Sequence, residues 1–221
     1  MHNRLYYTQF SFPRLLEECQ RSERFSKLYV TDDNSEDGSS EFVQDLISCS
    51  PLQKDIVYKR QKIGNSIDCI NYATHGNKTA YYFKVDNDIL IPEGCFDVLA
   101  GVMDKESQLG FLMLVESQDF PYVRKGGITL REHIGGVGIF RGQMFTSWIG
   151  NDNRYWGFTK FQQIMSKKGW AAAQYDGGTM TLLDRSKSYA RGFEYKDKGW
   201  GRVINGNEVY SPFEPEHIFK K

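Results

Sequence analysis

Apolar and polar positions follow two different spacings along the first two thirds of the chain. The segments "SFPRLLEECQRS", "SSEFVQDLIS", "NSIDCINYATHG", "EGCFDVLAGVMDKE" and "FTKFQQIMSKKG" place apolar residues three and four positions apart, which predicts amphipathic helices. The segments "KLYVT", "DIVYKR", "AYYFKV", "IGGVGIF" and "WAAAQY" are short β-branched and aromatic runs, which predict strands. Strands that alternate with helices predict an α/β fold built from right-handed βαβ units.

The segment "LGFLMLV" is apolar at every position, unlike a strand that exposes one face. Such a run is typical of a central strand buried on both faces. We therefore expect a single domain over residues 1–176, with a mainly parallel central sheet flanked by helices. Beyond residue 176 the chain is weakly periodic and rich in Gly, Tyr, Lys and Arg, so residues 177–221 are predicted to form a loop-rich extension packed on the same domain.

Composition and charge narrow the classes of partner. The chain has 221 residues, with 28 basic and 28 acidic side chains, so no net field attracts nucleic acid. Four cysteines lack CxxC spacing, which predicts neither a zinc site nor a disulfide framework and favours a cytoplasmic location. No run approaches the ~20 apolar residues of a membrane span, so no transmembrane segment is expected.

Two of the predicted strands end in pairs of carboxylates. Asp32 and Asp33 follow the strand in "KLYVTDDNSEDGS", and Asp86 and Asp88 follow the strand in "YYFKVDNDILIP". In a parallel α/β sheet, ligands bind at the carboxyl ends of the strands. We therefore expect both pairs to lie at the same edge of the sheet, around one pocket.

Each acidic pair also has an ordinary structural interpretation. Asp, Asn, Ser and Gly after a strand are common turn and N-cap residues, and for the first cluster this alternative stays open. Asp86 and Asp88 have apolar residues on both sides, so their repulsion is costly unless a cation neutralises it. Carboxylates completed by water and substrate oxygens are typical of Mg²⁺ or Mn²⁺ sites. The second cluster is therefore predicted to hold Mn²⁺ or Mg²⁺.

The order of these motifs resembles the metal-dependent nucleotide-sugar glycosyltransferases of the GT-A fold, particularly the large inverting family 2. "VTDDNSEDGS" resembles the family's first acidic motif, "VDND" its DXD motif, and "IGNSIDCIN" the helix between them. The resemblance covers roughly residues 3–175. It implies a single GT-A (Rossmann-like) domain that transfers a sugar from a nucleoside diphosphate donor, with a UDP-sugar expected, to an acceptor hydroxyl of a glycan.

The resemblance also implies roles for individual residues. Asp33 would hydrogen-bond the nucleotide base, with Thr31 and Asp32 beside it on the same strand end. Asp86 would contact the ribose and the metal, and Asp88 would bind the metal that bridges the donor diphosphate. The metal would stabilise the negative charge that develops on the departing nucleoside diphosphate.

The donor side departs from the family pattern at one position. Many relatives carry Arg before the Asn of the helix between the motifs, where this chain has Ile70 before Asn71. Asn65 and Asp68 lie three positions apart on that predicted helix, so we expect them to face the nucleotide. A solvated helix face is the alternative.

The acceptor side departs more strongly, because the acidic pair that usually supplies a general base is missing. Asp152 in "GNDNRYWGF" is the nearest candidate base and Glu132 a weaker one, although Asp152 also suits a turn. An inverting and a retaining mechanism both stay open. Trp156 is expected to stack on the acceptor sugar, with core packing as the alternative.

The chain begins "MHNRLYY", which resembles the end of the family's first strand without the strand itself. Either residues lie upstream or the sheet opens with an unusual edge. Two other functions also stay open. A sugar-1-phosphate nucleotidyltransferase would use similar acidic ligands, although no Gly-rich basic loop follows the first strand. A non-enzymatic carbohydrate-binding module would use the acids for Ca²⁺.

Overall fold

The computed structural model describes most of the chain as far as residue 183 and three short strands beyond it. The described residues are 1–62, 69–70, 73, 78–117, 121–132, 134–135, 137–145, 157–183, 194–195, 201–204 and 207–210. In this part of the chain, no helix is long and apolar enough to cross a bilayer.

Helices and strands follow one another much as the hydrophobic pattern predicts. The elements of the first half are α1 (Leu5–Arg21), β1 (Leu28–Asp32), α2 (Ser39–Cys49), a 3₁₀ turn (Gln53–Asp55), β2 (Ile56–Arg60), β3 (Tyr81–Lys84), β4 (Ile89–Leu90) and α3 (Cys95–Lys105). Those of the second half are β5 (Leu109–Ser117), β6 (Tyr122–Val123), β7 (Ile128–Arg131), β8 (Gly138–Arg141), α4 (Gly142–Phe145), α5 (Gly157–Ser166), β9 (Ala171–Leu182), β10 (Glu194–Tyr195), β11 (Gly201–Ile204) and β12 (Asn207–Tyr210).

The strands form a mixed arrangement of sheets. β1 and β2 pair in parallel as a two-stranded sheet. The central sheet has the order β3-β8-β5-β9-β4, and β6 and β7 also pair with β9. Within it, β5 and β9 are parallel, whereas β8 is antiparallel to both β3 and β5. The predicted α/β fold with a helix-flanked sheet is confirmed, but the prediction of a mainly parallel sheet is wrong.

Because β5 is buried on both faces, its sequence could not predict whether the neighbouring strands run parallel or antiparallel to it. Phe111, Leu112 and Leu114 are at most 1% exposed, as expected for a central strand. An apolar run specifies burial on both faces, but its pattern is the same whichever way the neighbouring strands run. The sequence of β5 therefore does not indicate that its neighbour β8 runs antiparallel to it.

In the described part of the chain, apolar clusters pack between the helices and the sheets. In the first, Phe12 and Leu16 of α1 pack with Val30 and Val43 between the helices and the β1–β2 sheet. In the larger one, Leu99 and Met103 of α3 pack against Leu112 and Leu114 of β5. A further cluster places Phe161 of α5 edge-on to Phe111, with 5.5 Å between the ring centroids.

One buried carboxylate joins α1 to α3. Glu18 is fully buried and accepts hydrogen bonds from the backbone N–H groups of Gly94, at 2.8 Å, and Phe96, at 3.1 Å. These are the first amides of α3, whose N-cap Gly94 has no side chain to cap them. The contact fixes α3 beside α1, and so positions the chain that follows β3 against the N-terminal segment.

The end of the sheet extends further than the sequence pattern indicates. β9 runs six residues beyond the predicted boundary at residue 176, to Leu182, and pairs there with β4. The prediction of loops from residue 177 is wrong for this stretch, because its buried residues complete the larger core. The division into residues 1–176 and 177–221 otherwise stays a prediction. β10, β11 and β12 form an antiparallel three-stranded sheet.

Candidate functional site

A cavity of about 1240 Å³ lies between β1 and β3. Thr31 and Asp33 at the end of β1 line it, together with Asp86 and Asp88 after β3. The segment Met1–Arg4, which leads into α1, lines the same end. Asp33, Asp86 and Asp88 thus share one cavity, whereas Asp32 does not line it, and β1 and β3 belong to different sheets and not to the one sheet edge that was predicted.

Asp32 organises the turn that follows β1. It is fully buried, and one carboxylate oxygen accepts hydrogen bonds from the Ser35 backbone N–H at 3.0 Å and hydroxyl at 2.5 Å. The other accepts one from the Tyr58 hydroxyl at 2.8 Å. Burial raises the pKa of Asp32, but the hydrogen bonds from Ser35 and Tyr58 outweigh it, so the pKa lies below its ordinary value. The predicted contact of Asp32 with a nucleotide stays a prediction.

The lowered pKa of Asp32 predicts a pH-dependent stability. Its ionised form stabilises the fold above the ordinary pKa of 3.8, and this contribution is lost as the pH falls through the lower pKa of the folded state. We expect Asp32→Asn to lower the free energy of unfolding by about 1–3 kcal/mol at pH 7. The difference from wild type should shrink below pH 3.8.

Urea unfolding followed by circular dichroism between pH 7 and pH 3 measures this difference. The exposed Asp45 provides the control, since Asp45→Asn should leave the curve within about 0.5 kcal/mol of wild type. A difference between wild type and Asp32→Asn that stays constant across this pH range would contradict the prediction.

Other residues of the acidic turn bind the start of the chain. Asp37 accepts hydrogen bonds from the Leu5 backbone N–H at 2.8 Å and the Ser39 hydroxyl at 2.5 Å. The Glu36 backbone N–H donates to the Asn3 side chain at 2.7 Å. The turn-and-cap interpretation therefore holds for part of "DDNSEDGS", whereas Asp33 lines the cavity.

The two aspartates after β3 differ in exposure. Asp88 is 3% exposed, and its carboxylate is paired with the Arg4 guanidinium. The side chain of Asp86 is 46% exposed and is paired with the Lys84 ammonium. Between them, the Asn87 side chain donates to the Thr8 hydroxyl at 3.0 Å, which fastens the segment to α1. Asp86 therefore faces the opening, and Asp88 lies inside.

The carboxylate of Glu116 interacts electrostatically with those of Asp86 and Asp88. Burial raises the pKa of Asp88; Arg4 opposes the rise, and the charge of Asp86 adds to it. Burial also raises the pKa of Glu116, which lies near the end of β5. The negative charges of Asp88 and Asp86 raise it further. Neither Arg4 nor Glu116 is among the site residues predicted from the sequence. The available signals were the "HNR" stretch at the start of the chain and the lone carboxylate that closes the apolar run of β5.

The metal-binding capacity of the site depends on Arg4. Among the described residues, no group of three or more His, Cys, Asp and Glu side chains is arranged to hold a metal ion. Asp86 presents an accessible carboxylate of the hard-oxygen type that Mg²⁺ and Mn²⁺ prefer. Asp88 offers a second one only if the Arg4 side chain moves from its carboxylate. When Arg4 has moved away, the carboxylates of Asp86 and Asp88 together fit a divalent cation.

Several predicted site residues lie outside the described part of the chain. These are Asn65, Asp68, Asp152 and Trp156. The weaker base candidate Glu132 is described, and it is exposed just after β7. The predicted roles of all five residues stay predictions.

Comparison with solved structures identifies proteins of similar fold. The chain is similar to S. aureus TarS 1-349 in complex with UDP-GlcNAc, with a TM-score of 0.61 at 12% identity over 89% of this chain and 60% of that chain. S. aureus TarS 1-349 gives a TM-score of 0.58 at 12% identity, over 81% of this chain and 58% of that one. S. aureus TarS gives 0.55 at 13% identity, over 83% and 36%. No protein-family model and no curated protein matches the chain.

These matches establish the fold and its extent. The chain has the mixed α/β fold of GT-A-like structures, with a central sheet flanked by helices. It spans less than two thirds of each of these neighbours' chains. At 12–13% identity, the similarity describes the backbone architecture, and the activity has to be argued from the side chains.

Proposed function

We propose that this chain is a glycosyltransferase that takes a nucleoside diphosphate sugar, with a UDP-sugar expected, and transfers the sugar to an acceptor hydroxyl. One observation carries the proposal. Thr31 and Asp33 from one strand end and Asp86 and Asp88 from another line a single cavity, in a fold similar to that of a protein crystallised with UDP-GlcNAc.

Different side chains among the described residues can contact different parts of the nucleotide-sugar donor. Asp33 offers hydrogen-bond acceptors at the end of β1, as recognition of a nucleotide base requires. Asp86 lies at the cavity opening, where Mg²⁺ or Mn²⁺ would be held, and Asp88 would become the second ligand once Arg4 is displaced. When bound, the cation supplies positive charge beside the leaving diphosphate.

Two basic side chains could assist at the same place. Arg4 and Lys84 are paired with Asp88 and Asp86, so both cations lie where an anionic diphosphate would approach the carboxylates. A guanidinium released from Asp88 can bind phosphate oxygens with two parallel hydrogen bonds. We propose that Asp152 is the base and Trp156 the acceptor platform, and that Asn65 and Asp68 face the nucleotide.

Nucleotide-sugar hydrolysis and transfer test the proposed function. A panel of UDP-, GDP- and dTDP-sugars is incubated with the protein in Mg²⁺, Mn²⁺ or EDTA, and nucleoside diphosphate release is measured. We expect release with a UDP-sugar and a cation, and a loss of at least about 100-fold in Asp86→Ala, as when a preorganised electrostatic group is removed. Asp45→Ala is the matched exposed control.

The products distinguish the alternatives. Pyrophosphate release from a nucleoside triphosphate and a sugar phosphate would indicate a nucleotidyltransferase instead. Sugar and Ca²⁺ binding without nucleotide binding would indicate a carbohydrate-binding module. Full activity of a folded Asp86→Ala variant in EDTA would contradict a metal-dependent mechanism.

A further inference from the structure

β7 lies at an edge of the central sheet. It pairs antiparallel with β9, from Ile128 opposite Tyr175 to Arg131 opposite Ala172. Within the described residues, β9 is the one strand with which β7 pairs. The residues of β7 after Ile128 are exposed, and the strand contains neither proline nor lysine, which commonly block the edges of sheets. The outer edge of β7 therefore offers backbone groups to another strand.

The outward-facing backbone groups of β7 belong to Ile128 and Leu130. In the register of the β7–β9 ladder, Gly127 lies opposite Asp176, and the Asp176 N–H donates to the Gly127 carbonyl at 2.9 Å. Alternate residues of an antiparallel strand bond to the same neighbour, so Thr129 also bonds to β9. The N–H and carbonyl groups of Ile128 and Leu130 therefore point away from β9, toward the outer edge.

One face of β7 is apolar. Ile128 packs against the larger core, and Leu130, two positions later, is 68% exposed. Because alternate side chains of a strand share a face, Leu130 extends the apolar face of Ile128 beyond the part that the core covers. A strand added beside β7 would cover Leu130.

The other face of β7 carries two opposite charges at its two ends. Arg131 donates to the Gln174 side chain at 3.0 Å. Asp176 accepts hydrogen bonds from the Thr129 hydroxyl at 2.6 Å and from Gln174 at 3.0 Å. Arg131 lies opposite Ala172, so about 13 Å of strand separates it from Asp176. The two charges therefore do not meet within one copy of the chain, and the hydrogen-bond partners named above are uncharged.

Two copies of β7 are complementary when they run antiparallel about Thr129. Ile128 of each copy then lies opposite Leu130 of the other, so their outward-facing N–H and carbonyl groups bond in pairs. On the apolar face, the side chains of Ile128 and Leu130 cover each other as cross-strand pairs. On the opposite face, the two Thr129 side chains lie next to each other on the twofold axis.

The same register brings the opposite charges together. Arg131 of each copy lies beside Gly127 of the other, and beyond Gly127 lies Asp176 of that other copy. Two strand spacings place the Cα atoms of Arg131 and the second copy's Asp176 about 10 Å apart. A Cβ at Gly127 would meet no atom within 4 Å, so the space above Gly127 is open to the Arg131 side chain. Each dimer would therefore contain two Arg131–Asp176 pairs.

We propose that β7 pairs antiparallel with β7 of a second copy of this chain and joins the two central sheets in a twofold dimer. Such a contact uses the same surface on both copies and therefore closes at two subunits. A strand of four residues gives a small interface, for which we expect a Kd on the order of 10–100 μM. The dimer is independent of the proposed transferase activity.

Charge reversal tests the pairing, with dimerisation measured by sedimentation velocity over concentrations that span this Kd. Arg131→Asp would place two carboxylates together at each end of the paired strands, and Asp176→Arg would place two guanidinium groups there. Each variant alone should dimerise at least about tenfold more weakly than wild type. An equal mixture of the two variants restores both attractive pairs and should dimerise about as well as wild type. Undiminished dimerisation of either variant alone, or a mixture that stays monomeric, would overturn the proposal, as would a monomeric wild type.

Two further measurements separate pairing from other effects. Asp45→Arg and Lys54→Asp make the same changes of charge at exposed positions outside β7 and β9, and should leave the Kd unchanged. In the wild-type protein, amide hydrogen exchange at Ile128 and Leu130 should slow about tenfold when the free monomer is at ten times the Kd. Exchange that does not depend on protein concentration at these amides would contradict pairing between copies. Full protection in dilute monomer would place another segment of this chain on the edge, and would overturn the proposal as well.

Discussion

Replacing Arg4 by Met is expected to lower the free energy of unfolding by about 3–5 kcal/mol at neutral pH. Arg4 and Asp88 are 84 positions apart, and their side chains are only 13% and 4% exposed. Removing the guanidinium leaves the Asp88 carboxylate buried without its cation. The loss therefore comes mainly from the uncompensated charge on a carboxylate that is only 4% exposed.

Urea unfolding of three variants isolates this effect. The double variant Arg4→Met with Asp88→Asn should recover much of the loss, since no buried charge is then left unpaired. Arg24→Met is the control, because Arg24 and Asp104 form a 2.6 Å pair whose side chains are each 46% exposed. It should cost no more than about 1 kcal/mol. An Arg4→Met protein that unfolds at the wild-type urea concentration would contradict the assignment.

The same variant tests the proposed cation site without an activity assay. The pKa of Asp88 is raised by burial, and Arg4 partly opposes the rise. Without Arg4, the pKa rises further, so the destabilisation should diminish as acid protonates Asp88. Mg²⁺ or Mn²⁺ alone should raise the Tm of Arg4→Met more than that of wild type, and Asp86→Ala should abolish this difference.

Replacing Glu18 by Ala is expected to lower the free energy of unfolding by about 2–3 kcal/mol. Its carboxylate accepts the backbone N–H groups of Gly94 and Phe96, which start α3 without a side-chain cap of their own. Charged acceptors at a helix N-terminus are favourable, and this one is fully buried. Alanine leaves both amides unsatisfied at the boundary between α1 and α3.

The neighbouring residue supplies the control for Glu18. The Glu17 side chain is 58% exposed and pairs with Arg14 across the helix surface, so Glu17→Ala should change the free energy of unfolding by less than about 1 kcal/mol. Glu18→Gln keeps one acceptor oxygen and should lie between wild type and Glu18→Ala. Equal unfolding midpoints for Glu17→Ala and Glu18→Ala would show that the cap contributes little.

The sequence was most informative where local chemistry sufficed. The apolar spacing of α1, α2 and α3 and the β-branched runs of β1, β2 and β3 predicted these elements and their order. The acids at the ends of β1 and β3 predicted a shared pocket, and Asp33, Asp86 and Asp88 do line one cavity. Nothing in the pattern distinguished Asp32, which orders a turn, from Asp33, because burial depends on the fold around them.

The sequence by itself determined which segments are helices and strands and where the polar groups interrupt them, since these depend on residues a few positions apart. Only the tertiary structure decided the antiparallel direction of β8, the pairing of Arg4 with Asp88, and the cavity that Asp33 shares with Asp86. Each of these brings together residues far apart in the chain. Such contacts depend on how elements distant in the chain pack together, and local periodicity does not record them.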